Sequence, residues 1–424
     1  LDVEGSQEAE IMFQDKYDTA QTALSARMPE VPEYSTRNRP AKCYNVAGKV
    51  SKLGEKWRAL VQEHIDPELY YHGDPIDYAE VIKGYKEPNA GSHQQIKKWL
   101  NSLGWVPESF KYVRNKNTNE VKVIPQIKNQ DTEELCDSIV RLIAKEPALD
   151  YLREMSIVKH RLSVVQGFLK NVDDDGYVYA AIQGLTNTLR FKHKICCNIP
   201  SVRKAYGALI RGLLIASSED SELCGSDMSS LEDRTKQHYM WPHDPGYVRE
   251  MMQDGFDPHC DMAIAAGLMT EEEAAWYKAY DKETATAVSE ETGDILHLAY
   301  WERNWSLNAI ADGCTVKNSR GMKWLWNPVA NMWFWLKADK DRFSTLNQST
   351  GTFAFDRWVF YILEQRRQLT GQFHDEVILE LKKGNREAMT AILDKAMAKV
   401  NAELKLNREL DCDVDFGDSY AEIH

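Results

Sequence analysis

Residues 227–234 read Asp-Met-Ser-Ser-Leu-Glu-Asp-Arg, and residues 374–380 read His-Asp-Glu-Val-Ile-Leu-Glu. Each string places an aspartate, Asp227 or Asp375, at the tip of a short strand that the apolar pattern predicts. Two carboxylates brought together from distant parts of a chain can hold the pair of divalent metal ions used for in-line phosphoryl transfer. The two strings therefore indicate a phosphoryl-transfer site, and the rest of the chain is interpreted from them.

Each string also has a simpler interpretation. Asp227 and Ser229 belong to the residue types that cap the amino end of a helix, and a helix is predicted to follow them. The second string can be a surface hairpin turn, although an acidic pair between buried strands is costly unless something compensates its charge. In the functional interpretation, Asp227 and the Met228 carbonyl offer oxygen ligands to a metal, and Glu232 overhangs the same site.

Length and composition restrict the class of protein. The chain has 424 residues, of which 43% are hydrophobic and 28% charged, which indicates a large globular protein with more than one domain. No apolar run has the length of a membrane span, and the first residues lack the pattern of a signal peptide. The eight cysteines have no metal-ligand spacing, which favours reduced thiols in the cytoplasm.

The distribution of charge is uneven. The net charge of −13 by itself disfavours a nucleic-acid partner. However, residues 91–211 contain 19 Lys and Arg against 12 Asp and Glu, whereas residues 212–300 contain 5 against 19. A basic segment followed by an acidic one suits an enzyme that binds phosphates in one place and metal cations in another. Chance clustering of solvated charge is the alternative.

Helical and strand patterns alternate along the chain and predict an α+β fold with mostly antiparallel strands. The segment 29–90 is interpreted as irregular apart from one helix. The predicted helices are 8–28, 49–64, 92–103, 132–171 in two pieces divided at Pro147, 201–214, one from Ser230, 342–367 and 385–404. The predicted strands are 177–182, 221–228, a strand or hairpin at 324–335, and the two strands that flank Asp375.

Both opening strings resemble motifs of the family A DNA polymerases, the group of bacterial polymerase I and of the replicative polymerases of short-tailed phages. The first string matches D-x-S-x-[IL]-E-x-R at every fixed position, and the second matches H-D-E. The resemblance covers nearly the whole chain from about Ser92 and includes the phage-type Q-S-x-G at 348–351. Further segments that resemble the family in the same order are 92–107, 159–162, 188–200, 206–211, 257–259 and the phage-like ending 416–424.

The resemblance implies a right-hand polymerase fold, with a palm that contains an antiparallel sheet and with helical thumb and fingers. It also implies a division of the chain into five parts. These are an N-terminal segment leading into the palm and thumb (1–90), the thumb (91–172), palm with the first metal aspartate (173–240), the fingers (241–310), and palm with the second metal aspartate (311–424).

The implied activity is template-directed DNA synthesis in phage genome replication, in which deoxynucleotides are added to a primer 3′-hydroxyl by two-metal transfer. Asp227, Asp375 and the Met228 carbonyl would hold two Mg²⁺ ions, for which Mn²⁺ can substitute, and Glu376 would act beside them. The resemblance assigns nucleotide selection and binding to Glu232, His259 and Arg211. It assigns primer–template binding to Arg190, Gln348, His374 and Asn198.

Two departures from the family are visible. The fingers motif R-x-x-x-K-x-x-x-[FY]-x-x-x-Y does not occur, and the two aspartates are 148 residues apart, a few tens fewer than the family usually has. We expect a fingers segment to be missing between about 280 and 286. Upstream there is too little sequence for the exonuclease domain that family members usually carry. The D-x-E at 2–4 resembles a proofreading motif, but it is interpreted as the start of a helix because no apolar strand precedes it. A separate exonuclease or a longer parent protein would each explain this.

The implied partners are primer–template DNA and deoxynucleoside triphosphates, with a processivity factor at the thumb and a separate exonuclease as further candidates. No membrane association is expected, and the expected location is the cytoplasm of a bacterial host. Two alternatives remain open at this point. One is a single-subunit RNA polymerase, which Glu232 disfavours, and the other is a non-catalytic DNA-binding subunit.

Overall fold

The computed structural model describes residues 1–64, 77–114, 120–129, 134–253, 255–274, 299–300 and 302–423. Helices and small antiparallel sheets alternate along these ranges, which confirms the predicted α+β class. None of the helices described there combines the length and the apolar character needed to cross a membrane.

The elements with described bounds are numbered in chain order. The helices are α1 (Val3–Ser25), α2 (Lys52–His64), α3 (His93–Ser102), α4 (Asp137–Ile143), α5 (Leu152–Asn171), α6 (Gly207–Gly212), α7 (Leu231–Met240), α8 (Pro245–Met251), α9 (Pro258–Ala265), α10 (Ser306–Gly313), α11 (Arg342–Gln365) and α12 (Arg386–Leu404). The strands are β1 (Val31–Asn38), β2 (Tyr78–Lys86), β3 (Ser109–Arg114), β4 (Val121–Gln126), β5 (Ile182–Leu185), β6 (Phe191–His193), β7 (Ser221–Met228), β8 (Thr315–Lys317), β9 (Lys323–Asn327), β10 (Met332–Trp335), β11 (Gly371–Phe373), β12 (Glu376–Lys382) and β13 (Cys412–Gly417).

The chain forms two compact units. One contains Leu1–Met12 together with His160–His424, and the other contains Phe13–Lys159. The five-part division that the resemblance implies stays a prediction.

In the unit Phe13–Lys159, helix α3 lies at the main core. Its start is capped by Ser92, whose hydroxyl accepts a hydrogen bond from the Gln95 N–H (3.5 Å), and Gly104 follows it with a φ of 87° that glycine adopts readily. Strands β1 and β2 pair along their whole length, so the prediction of an irregular chain there was wrong. The core residues around α3 are Leu24, Ile96, Trp99, Leu100, Trp105, Ile139, Leu142 and Leu149.

The other unit is built around a four-stranded antiparallel sheet in the order β11-β12-β7-β13. Because side chains alternate along a strand, one face packs on α11 and α12 and the other lies under the C-terminal segment. The close approach of that segment requires Gly225, since a Cβ there would lie 3.0 Å from Ile423. Residues of the helix-covered face include Cys224, Met228, Val377 and Leu379, which pack with Phe355, Trp358, Leu393 and Met397.

Several predicted elements are confirmed, and two are wrong. The strand at 221–228, the tryptophan-rich hairpin, the strands that flank Asp375 and the last two long helices lie where the sequence places them. The predicted strand 177–182 is not formed as such: Val178 makes one isolated bridge and a strand begins only at Ile182. The chain before it is held at a turn, because the Asp173 carboxylate accepts hydrogen bonds from the Tyr177 N–H (2.8 Å) and the Tyr179 hydroxyl (2.9 Å). The predicted helix 201–214 is only α6, since Tyr206 has a φ of 60° and interrupts the helical backbone.

Candidate active site

Three carboxylates lie in one row across the central sheet. Asp227 on β7 is opposite Glu376 on β12 and opposite Asp413 on β13. Residues directly opposite on antiparallel strands share a face, and like charges placed so are destabilising. Asp227 and Asp413 are exposed, whereas Glu376 is only 7% exposed. The row therefore concentrates negative charge on one face of the sheet.

Asp375 lies in the two-residue loop between β11 and β12, beside the tip of β7. The Met228 N–H donates a hydrogen bond to the Asp375 carbonyl (3.0 Å), which fixes this loop to the strand that ends with Asp227 and Met228. His374, the other loop residue, has a φ of 51°, as tight hairpin loops require. A non-glycine residue with positive φ costs energy and is frequent at functional sites. The two predicted metal aspartates thus come from adjoining strand ends.

Glu376 is supported from the C-terminal segment. The Tyr420 hydroxyl donates a hydrogen bond to Glu376 Oε2 (3.3 Å), and the Arg211 guanidinium lies 4.6 Å from the Tyr420 ring centroid. Arg211 Nε also donates to the Pro200 carbonyl (2.8 Å). Burial, and after it the charge of Glu376, raises the pKa of Tyr420, which keeps this hydroxyl a donor. Arg211, predicted to bind the nucleotide, therefore reaches the acidic row through Tyr420.

Glu232 lies on the first turn of α7 and is half exposed. Arg190 Nη1 donates a hydrogen bond to its Oε1 (3.4 Å). The N-cap of α7 is Ser230, which makes no side-chain cap hydrogen bond, and Ser229 donates instead to Asp413 Oδ2 (2.9 Å). Ser229 is therefore not the cap of α7, contrary to the simpler interpretation.

The backbone of Glu232 is held by α11. Asn347 Nδ2 donates a hydrogen bond to the Glu232 carbonyl (2.8 Å), and the Thr235 hydroxyl donates to Asn347 Oδ1 (2.8 Å). Asn347 is buried, and Gln348, a predicted template contact, follows it and is half-buried. Because the side-chain amide contacts two positions of α7, it fixes the start of that helix against α11.

His374 is exposed at the loop tip and has a second histidine nearby. Burial, and to a smaller degree His374, lowers the pKa of His193 on β6. The ring centroids of His193 and Phe373 are 5.1 Å apart. Strand β6 therefore lies beside the loop that carries Asp375.

Two predicted residues are not brought to this site. Asn198 is exposed and has a φ of 57°, and it lines a cavity with residues of α5 such as Phe168. His259 is exposed on the first turn of α9, and its N–H donates to Asp257 Oδ1 (2.8 Å). In the part of the chain that the structure describes, no hydrogen bond links either residue to the aspartates. The expected gap in the fingers at 280–286 lies outside the described residues.

The oxygen atoms at the strand tips suit magnesium in kind. Carboxylates and backbone carbonyls are the hard ligands that this ion prefers, and it usually binds through one or two carboxylates plus substrate phosphates. Across the described ranges, no three His, Cys, Asp or Glu side chains converge as a ready-made metal site. The described side chains therefore do not form an all-protein metal cage.

Three residues of this site were missed from the sequence. Asp413 is marked only by the alternation Asp-Val-Asp at 413–415, which places an acid on the exposed face of a strand. Asn347 is 115 residues from its partner Glu232 in the sequence, and Tyr420 is 44 residues from its partner Glu376. No local sequence pattern marks either residue.

Comparison with known proteins supports the fold alone. No protein-family model matches the sequence, and no curated protein matches it. Among solved structures, the chain is similar to the POL domain of Pol1 from M. smegmatis, described in complex with DNA primer-template and dNTP. The TM-score is 0.55 at 16% identity, and the match covers 100% of this chain and 68% of that one. The chain thus has a polymerase-domain fold.

Proposed function

We propose that this protein is a template-directed DNA polymerase that adds deoxynucleotides to a primer 3′-hydroxyl. The observation that carries the proposal is the strand register, which places Asp227 opposite Glu376 and beside the loop of Asp375. The fold it shares with a domain solved with primer-template and dNTP supports the same activity. Its family A motifs, with their phage-type variants, favour a role in phage genome replication.

Asp227, Asp375 and the Met228 carbonyl would hold two Mg²⁺ ions, and Mn²⁺ would substitute. When bound, such ions lower the pKa of the attacking hydroxyl and neutralise charge on the triphosphate and the leaving pyrophosphate. The contribution of the chain is to keep these oxygen atoms in place. The main-chain bond from Met228 to Asp375 does so before substrate arrives, and the Tyr420 bond holds Glu376 beside them.

Glu232 is proposed to select the sugar, because its carboxylate would crowd a ribose 2′-hydroxyl. Its neighbour Arg190 is proposed to reach the minor groove at the primer end, where acceptors occupy similar positions in all base pairs. The proposed primer–template contacts are Arg190, Gln348, His374 and Asn198, and the proposed contacts on the nucleotide side are His259 and Arg211.

A primer-extension assay tests the activity itself. The chain would be incubated with a labelled primer–template, Mg²⁺ and either deoxynucleotides or ribonucleotides. Extension that follows the template and requires deoxynucleotides is expected. DNA binding without extension would instead support a non-catalytic subunit, and equal use of ribonucleotides would support an RNA polymerase.

Substitution of Glu232 by Ala is expected to relax sugar selection. Loss of the crowding side chain should raise the kcat/KM for a ribonucleotide relative to its deoxynucleotide by roughly 10- to 200-fold. Asn347→Leu removes the bond that holds the Glu232 carbonyl and should move the same ratio in the same direction, by less. Single-nucleotide incorporation kinetics measure both. Glu364→Ala, an exposed glutamate on α11, is the matched control, and an unchanged ratio in Glu232→Ala would refute the assignment.

A further inference from the structure

The three-stranded sheet β10-β9-β8 presents four tryptophans on one face, which we name the tryptophan face. The strand register pairs Trp333 with Trp326 and Trp335 with Trp324. Trp333 and Trp335 are 49% and 45% exposed, and the other two are half-buried. Large aromatic rings clustered in water are unusual on a protein surface and mark interaction sites.

The three-stranded sheet does not need solvent-exposed tryptophans in order to fold. Its core is supplied by the opposite face, where Leu325, Phe334 and Leu336 are at most 5% exposed. Cross-strand packing explains the contact between Trp326 and Trp333, whose ring centroids are 5.1 Å apart. This cross-strand packing still leaves about half of the Trp333 side chain exposed to solvent.

The charge around the tryptophan face is positive in an acidic protein. Residues 315–342 contain six Lys and Arg against two Asp, whereas the whole chain has a net charge of −13. Arg320 and Lys337 are exposed, and within the described residues no carboxylate pairs with them. Lys337 Nζ lies 6.0 Å from the Trp335 ring centroid. A polyanion that also carries aromatic rings complements this surface in both charge and shape.

The three-stranded sheet is hydrogen-bonded to α11, the helix that carries Gln348. Asn327, which is fully buried in β9, donates through Nδ2 to the hydroxyls of Ser349 (2.8 Å) and Thr350 (2.9 Å) on α11. Its Oδ1 accepts from the Ala330 N–H in the β9–β10 turn (2.9 Å). The tryptophan face is therefore held in a fixed position relative to the α11 turn that follows Gln348.

We propose that the tryptophan face binds single-stranded DNA, namely the unpaired template strand that has yet to be copied. Bases stack on the exposed rings of Trp333 and Trp335, and the backbone phosphates lie near Arg320 and Lys337. Stacking on aromatic rings tolerates any base, as a template track requires. The identification of the bound DNA as the template strand rests on the proposed function. The ability of the tryptophan face to bind single-stranded DNA does not depend on that function.

The test compares single-stranded DNA binding among matched variants. Fluorescence anisotropy with a labelled oligothymidine measures the Kd for the wild type, for the double variant Trp333→Ala/Trp335→Ala, and for the phenylalanine pair at the same positions. Loss of each ring should weaken binding by about 5- to 150-fold, and phenylalanine should restore most of it. Lys337→Gln should reduce the slope of log K against log salt by ~0.7. Trp305→Ala, which removes a 53% exposed tryptophan outside the sheet, is the control and should bind as the wild type.

Extension assays separate this inference from the proposed activity. On a primer–template with a one-nucleotide overhang, the double alanine variant should extend like the wild type, and its defect should grow as the overhang lengthens. Absence of extension by the wild type would refute the proposed function. The oligothymidine binding result would still decide whether the tryptophan face binds single-stranded DNA. Unchanged oligothymidine binding in the double variant overturns the inference. So does sedimentation that shows the tryptophan face joining two copies of the chain, which the alanines separate.

Discussion

Replacement of Asp375 by Asn is expected to lower kcat for primer extension by at least ~10³-fold while DNA still binds. Asparagine has nearly the same shape, so the main-chain bond from Met228 to residue 375 is retained. It lacks the negative charge that a divalent cation requires. The stabilisation that such ions give to a phosphoryl transition state is several kcal/mol, and about 4 kcal/mol corresponds to a thousandfold in rate.

Rapid-quench extension and anisotropy on the same primer–template separate rate from binding. Asp415→Asn is the matched control, because Asp415 is an exposed aspartate of the same sheet that lies opposite Gly225, away from the strand tips. The control should extend within about twofold of the wild type, as surface substitutions away from special features usually have small effects. If Asp375→Asn and Asp415→Asn have equal rates, Asp375 is not a metal ligand.

Substitution of Trp358 by Ala is expected to lower the free energy of unfolding of its unit by about 3–5 kcal/mol. Trp358 is fully buried on α11, its ring centroid is 6.0 Å from that of Phe355, and its Nε1 donates to the Leu393 carbonyl of α12 (3.4 Å). Alanine would leave a cavity between the two helices that support the central sheet. This loss is large against the roughly 5–15 kcal/mol that keeps a typical domain folded.

Urea unfolding followed by circular dichroism measures this effect without relying on tryptophan fluorescence. The midpoint should fall while the slope of the transition is unchanged. Trp333→Ala removes a half-exposed tryptophan and should stay within ±0.5 kcal/mol or so of the wild type. Equal shifts for the two variants would mean that α11 and α12 do not depend on Trp358.

The strand ends that carry Asp227 and Asp375 were predictable because their evidence is local. Asp227 lies near the end of one apolar strand and Asp375 directly precedes another, and the residues beside them form recognisable strings. The sequence did not reveal that Glu376, rather than Asp375, is directly opposite Asp227, because pairing register depends on which strands meet. It equally could not place Asp413, since β13 was not predicted.

The residues that hold the site in place could not be predicted from the sequence, for the same physical reason. Asn347 and Tyr420 are ordinary residues in sequence, and they acquire a role only when α11 and the C-terminal segment fold against distant partners. The wrong strand at 177–182 has a different cause. Its alternation of aromatic and β-branched residues favours a strand, but the Asp173 carboxylate offers the backbone competing hydrogen bonds.

The row of Asp227, Glu376 and Asp413 has a consequence for how this protein can change over evolutionary time. An insertion of one residue between Cys224 and Asp227 would move Asp227 to the face that packs on α11 and α12, away from Glu376 and Asp413, and Met228 to the opposite face. Insertions and deletions of single residues within these strands should therefore be rare. Gains and losses of sequence should accumulate in the connecting segments, so that descendants differ greatly in length between the strands and very little within them.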